Sequence, residues 1–319
     1  MIDLDAFAAE VGTDDPVTIC GAGTRGGAVP GVRTVTAPVG IDWLQADEMT
    51  VCCGAGTPVE VLDAALAEVG QRTVLPRTGG PVGGTAGGTV GGALAVGLSG
   101  VRRLGDGPVR DALLQARYVS ATGEVVKAGG PTVKNVSGFD LCRLLVGSCG
   151  TLGFLGEVIV RTRPLPLHSQ WFRIDADDPT RLFTALYRPV SMLWDGLQVW
   201  VLLEGHPRDI EHTAAQHRLE PCAAPAVPEA RRAMVAPSKV YATVRSLPTG
   251  SVVAEVGIGV VHLAAEAATA LAAEAATALV PAVVAPEVLA VEHRVKQQFD
   301  PAGRLNPGVA PGVVPGGAR

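Results

Sequence analysis

The sequence predicts an α+β protein in two parts, and three observations carry that expectation. From Val17 to about Pro164 glycine-dense stretches separate β-branched runs from short helical patterns. Beyond Pro164 glycine thins out, and Trp171, Phe172, Trp194 and Trp200 gather in a segment of different composition, which marks a second domain. With 319 residues, 47% hydrophobic and 18% charged, the chain is long enough to bury a sizeable core in each part.

A net charge of -5, with no block of Lys and Arg, offers no electrostatic footprint for nucleic acid. The stretch "MIDLDAFAAEVGTDD" is acidic where a secretory signal would be basic. No uncharged apolar run reaches the roughly 18 to 20 residues of a membrane span, so a soluble, cytoplasmic chain is the expectation. Cys20, Cys52, Cys53, Cys142, Cys149 and Cys222 form no C-x-x-C and have no partnering His cluster. Reduced thiols follow, with neither zinc nor iron–sulfur ligation in this chain.

The first element of note is "VTICGAGTRGGAVPG", in which Gly21, Gly23 and Gly26 stand at the G-x-G-x-x-G spacing. A Rossmann turn needs a helix that starts inside these glycines. Here Pro30, Gly31 and a Val/Thr run follow, so the chain leaves the turn extended. Walker A is excluded because no G-K-[ST] is present. What remains is a nest of backbone N–H groups suited to an anion, with Thr24 and Arg25 beside it, or a plain structural turn.

A second "GAGT", Gly54 to Thr57, opens a helix for which Thr57 can cap, Pro58 fits the first turn, Glu60 completes a capping box and Gly70 closes the end. The stretch from Gly79 to Gly107 is too rich in glycine for regular structure and too apolar for a linker; close backbone approach to something it wraps is the expectation. "ARYVSATGEVVKAGG" reads as a hairpin turning at Thr122–Gly123. The tandem "AAEAATALAAEAATAL", Ala264 to Leu279, reads as plain helix. A last helix stops at Asp300–Pro301, before a tail punctuated by Pro and Gly.

Two stretches, "TVGGALAVGLSGVRRLGDGPVRDALL" and "GGPTVKNVSGFDLCRLLVGSCGTLGFLGEV", together with "VKQQFDPAGRLNPG" near the end, resemble the FAD-binding subunit of bacterial glycolate oxidase, within the vanillyl-alcohol-oxidase-like superfamily of FAD-linked oxidases. The resemblance runs over about Val17 to Pro166 and resumes in the tail. It implies a two-subdomain PCMH-type FAD-binding domain over residues 1–165, an inserted α+β cap over 166–285, and a segment 286–319 that returns to the first domain. It implies that Ala22, Gly23, Thr24, Arg25, Gly26 and Gly27 grip the FAD pyrophosphate. Thr89, Gly91, Gly92 and Ala95 would lie against the cofactor with Ser99 and Gly100 close behind, Gly156 and Val158 on the adenine side, and Asn306 near the flavin. The first loop holds no His and has Ala28 after Gly27, so the FAD is expected to be non-covalent.

Implied partners are a larger catalytic FAD subunit, an iron–sulfur subunit and a small 2-hydroxy acid, with any membrane association made through those partners. Catalytic residues stay unassigned. The resemblance's catalytic relatives carry a His pair and an E-H-G segment, which His168, His206, His212, His217, His262 and His293 do not reproduce. His262 ends an apolar strand pattern and reads as a core histidine. Lys134, Asn135 and Asp140 could place polar groups at the flavin, but Asn135 and Asp140 equally suit turn and cap roles and a structural role is the first reading; Lys239 and Tyr241 read as packing before substrate contact, and Arg102 and Arg103 as either anchors or surface. A stand-alone FAD-dependent dehydrogenase or oxidase, and a scaffold with a decayed flavin site, stay open beside the subunit reading.

Overall fold

The computed structural model of the protein describes residues 2–24, 28–76, 87–131, 139–269 and 286–309. Two antiparallel sheets organise them. The first has five strands in the order Ile41–Gln45, Thr50–Gly54, Phe154–Arg161, Leu113–Val119 and Val125–Gly129. Its middle strand, FLGEVIVR, is buried at every position except Arg161, because both faces of the sheet are covered. Helices Val59–Ala67, Val90–Val96 and Leu141–Leu145 pack on one face around Val51, Leu62, Leu94, Leu145 and Val160. Helix Leu4–Val11 brings Leu4 and Phe7 to the other.

The second sheet has seven strands, in the order Glu220–Cys222, His168–Asp175, Gln198–Gly205, Ser191–Trp194, Val252–Glu255, Val260–Leu263 and Arg231–Met234. Trp194, Val201, Leu203 and Leu263 form its core with helices Pro207–His217 and Val240–Ser246. On its other face Leu193 and Val253 meet Val101, with Trp171 and Trp200 packed beside them. The chain is thus α+β, with a sheet in each part. Among the described residues no helix is long and apolar enough to cross a membrane.

Local chemistry explains the elements. Asp3 caps the first helix by accepting the Ala6 N–H at 2.9 Å. The hairpin turns at Thr122–Gly123, where Gly123 takes φ +79. Helix Val59–Ala67 differs from expectation at its start. Pro58 is the N-cap, and the Thr57 hydroxyl is taken by Gly40, receiving its N–H at 3.0 Å and donating to its carbonyl at 3.1 Å.

The glycine-rich stretch is also more regular than expected. Helices Val90–Val96 and Arg103–Asp106 form within it, and residues 79–86 lie outside the described residues. Thr89 caps the first of these helices by accepting the Gly92 N–H at 3.1 Å, and Gly97 closes it at φ +69. Gly91 is required because a Cβ there would stand 2.8 Å from the Ala55 Cβ and 2.9 Å from its carbonyl oxygen. Of the tandem repeat, residues 265–269 are helical; 270–285 lie outside the described residues.

After the "GAGTRGG" turn the chain runs into strand Arg33–Val35, parallel to Val17–Ile19. Leu305 bridges to Val17 in parallel on the same strand, so the tail joins this small sheet. Helix Pro286–Phe299 ends just before Asp300–Pro301.

The two parts meet at a polar cluster. Arg72 pairs with Asp106 at 2.8 and 2.9 Å; Arg102 reaches both Asp106, at 3.1 Å, and Glu204 of the second sheet, at 2.7 Å. Burial raises the Asp106 carboxyl, but the hydrogen bond and charge of Arg72, joined by Arg102, outweigh it and hold it below the usual carboxylate range. A lowered folded-state value contributes stability above the ordinary value of about 3.9 and loses it as pH falls through the folded-state value.

The urea midpoint is therefore expected to fall between about pH 5 and about pH 2, and to fall less steeply in Asp106→Asn. Leu62→Ala, at a site with 0% exposure, is expected to cost about 2–5 kcal/mol in the same measurement at neutral pH.

Candidate functional site

A cavity of about 410 Å³ lies where five stretches of the first part converge with the tail. These stretches hold Thr18 to Thr24, Thr36 to Val39, Ala55–Gly56, Thr89 with the helix Val90–Val96, and Leu145 to Leu155. Val39, Val96, Leu145, Leu155 and Val309 give it apolar walls suited to a flat ring system. At the glycine turn, Gly21, Ala22 and Gly23 are exposed, and their N–H groups meet no acceptor among the described residues. Gly23 takes φ +71 with open space where a Cβ would stand. Such a turn can receive the oxygens of an anion on successive N–H groups.

The tail closes the wall through Asn306. Its N–H donates to the Val17 carbonyl at 2.9 Å, and its Oδ1 accepts from the Thr18 hydroxyl at 2.9 Å and the Ile19 N–H at 3.0 Å. Its Nδ2 donates to the Cys149 carbonyl at 2.7 Å. Cys149 and Asn306 are both in the left-handed region, at φ +51 and +46, where non-glycine residues are uncommon. Gly150 follows at φ +71, and a Cβ there would stand 2.7 Å from the Asn306 amide nitrogen. Glycine is thus the residue that lets the two segments touch.

Of the residues singled out from the sequence, Ala22, Gly23, Thr24, Thr89, Gly91, Gly92, Ala95 and Asn306 border this cavity together. Arg25, Gly26 and Gly27 lie outside the described residues, as do Lys134 and Asn135. Four others do not border it. The Ser99 hydroxyl accepts the Val109 N–H at 3.0 Å, and the Gly100 carbonyl accepts from Arg103 at 3.1 Å. The Gly156 carbonyl accepts from Ala55 at 2.8 Å, and a Cβ at Gly156 would stand 2.6 Å from the Leu4 side chain. Val158 is buried in the sheet between Cys53 and Ala116.

Thr18, Leu145, Ser148, Cys149 and Gly150 also border the cavity without having been singled out. For Cys149 and Gly150 a signal existed in "GSCGTLG", whose glycine spacing marks close backbone approach.

The remaining candidates lie elsewhere. His262 is 1% exposed on the second sheet, 2.8 Å from Glu255. Tyr241 stacks on Trp194 with ring centroids 5.4 Å apart. Asp140 caps helix Leu141–Leu145 by accepting the Arg143 N–H at 3.1 Å, and Arg102 anchors to Glu204. Asp42, Cys52 and Glu157 bring ligand-type atoms within 4.8 Å of one another. Burial, then Glu157 and Asp42, push the Cys52 thiol up to about 12, which keeps it protonated rather than thiolate.

Comparison with known proteins agrees with this geometry. Residues 12–129 match the family described as "FAD binding domain". The chain is 41% identical over 119 residues to glycolate oxidase subunit GlcE of Escherichia coli, a match spanning 37% of this chain and 33% of that protein. It is 37% identical over 154 residues to D-lactate dehydrogenase of Archaeoglobus fulgidus, spanning 47% of this chain and 33% of that protein. The chain therefore covers a third of the length of each of these curated relatives. In fold it is similar to alkyldihydroxyacetonephosphate synthase, with a TM-score of 0.65 and 14% identity over 96% of this chain and 73% of that one. The glycine turn and much of the apolar slot thus fall within residues 12–129, the stretch that matches the family described as "FAD binding domain".

Proposed function

We propose that this chain is the FAD-binding subunit of a glycolate-oxidase-type 2-hydroxy-acid dehydrogenase, an FAD-dependent oxidoreductase acting on CH–OH groups. The observation that carries the reading is the cavity itself. Its walls come from the glycine turn, the Thr89–Val96 segment, the Leu145–Leu155 segment and Asn306, the segments that carry the resemblance to the glycolate oxidase subunit.

In this reading Ala22, Gly23 and Thr24, continued by Arg25, Gly26 and Gly27, hold the pyrophosphate through backbone N–H groups. Thr89, Gly91, Gly92 and Ala95 present a side-chain-poor surface to the ring, and Asn306 closes the opposite wall. Ser99, Gly100, Gly156 and Val158 support the site from behind: Gly156 holds Ala55 in place through its carbonyl, and Ala55 borders the cavity. FAD, when bound, supplies the hydride acceptor for oxidation of the hydroxyl-bearing carbon.

Residues 1–165 and 286–319 then form the FAD-binding domain, with 166–285 inserted as a cap. Pairing of Leu305 with Val17 supports the return of the tail. The FAD is non-covalent. The partners are a larger catalytic FAD subunit and an iron–sulfur subunit, and the location is cytoplasmic, with any membrane association made through them. The GlcE similarity supports a multi-subunit assembly, since that relative is named as a subunit.

Purified chain incubated with FAD is expected to retain flavin through gel filtration and to release all of it into the supernatant on acid precipitation; flavin held in the pellet would overturn the non-covalent reading. Gly91→Val is expected to weaken FAD binding at least about tenfold, because the added side chain drives helix Val90–Val96 off Ala55. Bleaching of the flavin by glycolate or D-lactate is expected only with the larger subunit present. Bleaching by this chain alone would replace the subunit reading with a stand-alone dehydrogenase.

A further inference from the structure

The tail is fastened by groups that do not border the cavity. The Asp300 side chain is fully buried. Its Oδ1 accepts the Arg304 N–H at 3.0 Å, and its Oδ2 accepts the Leu305 N–H at 2.8 Å and the Lys296 ammonium at 2.6 Å. Lys296 spends its other two donors on the Thr151 carbonyl, at 2.7 Å, and the Leu305 carbonyl, at 3.1 Å. Lys296 thus ties the end of the last helix to the tail and to the segment that carries Cys149 and Gly150. Arg304 sends its guanidinium to the carbonyls of Asp15, Ala121 and Val11, at 3.1, 2.9 and 2.8 Å. The outcome of this turn is the placement of Asn306, whose side-chain amide bridges Thr18 and Ile19 on one side and Cys149 on the other.

We propose that Lys296 and Asp300 are positioning residues for the cofactor: together they form a clasp that docks the tail, lets Asn306 set the separation of the two cavity walls, and couples cofactor binding to tail docking. The proposal rests on the FAD reading above. Asn306 has three of its side-chain hydrogen bonds committed to these walls, so its main work is to fix them. By linkage, whatever the docked tail adds to cofactor affinity, the bound cofactor returns as tail stability.

The test uses the full chain with Asp300→Asn and Lys296→Met, each checked for folding by far-UV circular dichroism, and with Lys296→Arg as a milder change that keeps the charge but cannot place three donors from one nitrogen. Flavin-fluorescence titration is expected to show FAD affinity at least about tenfold weaker in Asp300→Asn and Lys296→Met, with a smaller loss in Lys296→Arg. A second readout needs no flavin. In cofactor-free protein a thiol reagent is expected to label Cys149, 7% exposed in the docked state, at least about tenfold faster in the first two variants. In the wild type, added FAD is expected to slow hydrogen exchange at the Val17 and Asn306 amides.

Folded variants with unchanged FAD affinity and unchanged Cys149 labelling would overturn the clasp. A wild-type chain that takes up no FAD would overturn the underlying reading of function. Cys149 labelling would then decide the clasp alone, accelerated labelling supporting it and unchanged labelling overturning it.

Discussion

A carboxylate with no exposure to water must be matched by donors or it unfolds what surrounds it, and Asp300 is such a group. Two backbone N–H groups and the Lys296 ammonium satisfy it, and all three lie within five residues of it in sequence. That local arrangement shapes the turn through Gly303, at φ +66, and sends Leu305 and Asn306 against the strand Val17–Ile19. The cavity is therefore assembled from both ends of the described chain. Thr18 and Ile19 come from one end, Asn306 and Val309 from the other, and the Cys149 carbonyl stands between them.

A second set of charges joins the two sheets. Arg72, Asp106, Arg102 and Glu204 link the strand Gln71–Arg72 and the segment after the cavity helix to the strand Gln198–Gly205. Arg232 adds a further tie by donating to the Ser99 carbonyl at 2.9 Å while its other terminal nitrogen lies 3.5 Å from Glu255. Glu255 in turn meets His262 at 2.8 Å. Because the pairs are partly or wholly screened from water, each partner is costly to remove singly, and the cluster sets the placement of one sheet on the other. His262, which the sequence suggested as a core residue, is part of that structural tie.

Much of the first part was legible from sequence for physical reasons. Leaving the "GAGTRGG" turn as strand followed from Pro30 and the Val/Thr run, and Arg33–Val35 lies parallel to Val17–Ile19. The hairpin at Thr122–Gly123 and the helix stop at Asp300–Pro301 are turn chemistry read within a few residues. Less legible were the helices inside the glycine-rich stretch. Glycine lowers helix propensity, but Thr89 supplies a cap, and packing against Ala55 demands a residue without a side chain at Gly91. Thr57 misled for the complementary reason: its hydroxyl found Gly40, a partner 17 residues away, instead of the helix it precedes.

By itself the sequence determined the mixture of helix and strand and a glycine turn without a following helix, because each depends on residues close together in the chain. Tertiary structure alone decided that Cys149 and Gly150 face Asn306, that Gly156 and Val158 stay within the sheet and its supports, and that Lys296 and Asp300 hold the tail in place. These depend on contacts between residues far apart in the chain, 288 residues in the case of Thr18 and Asn306, and no local propensity encodes which distant backbone groups a buried amide will bridge.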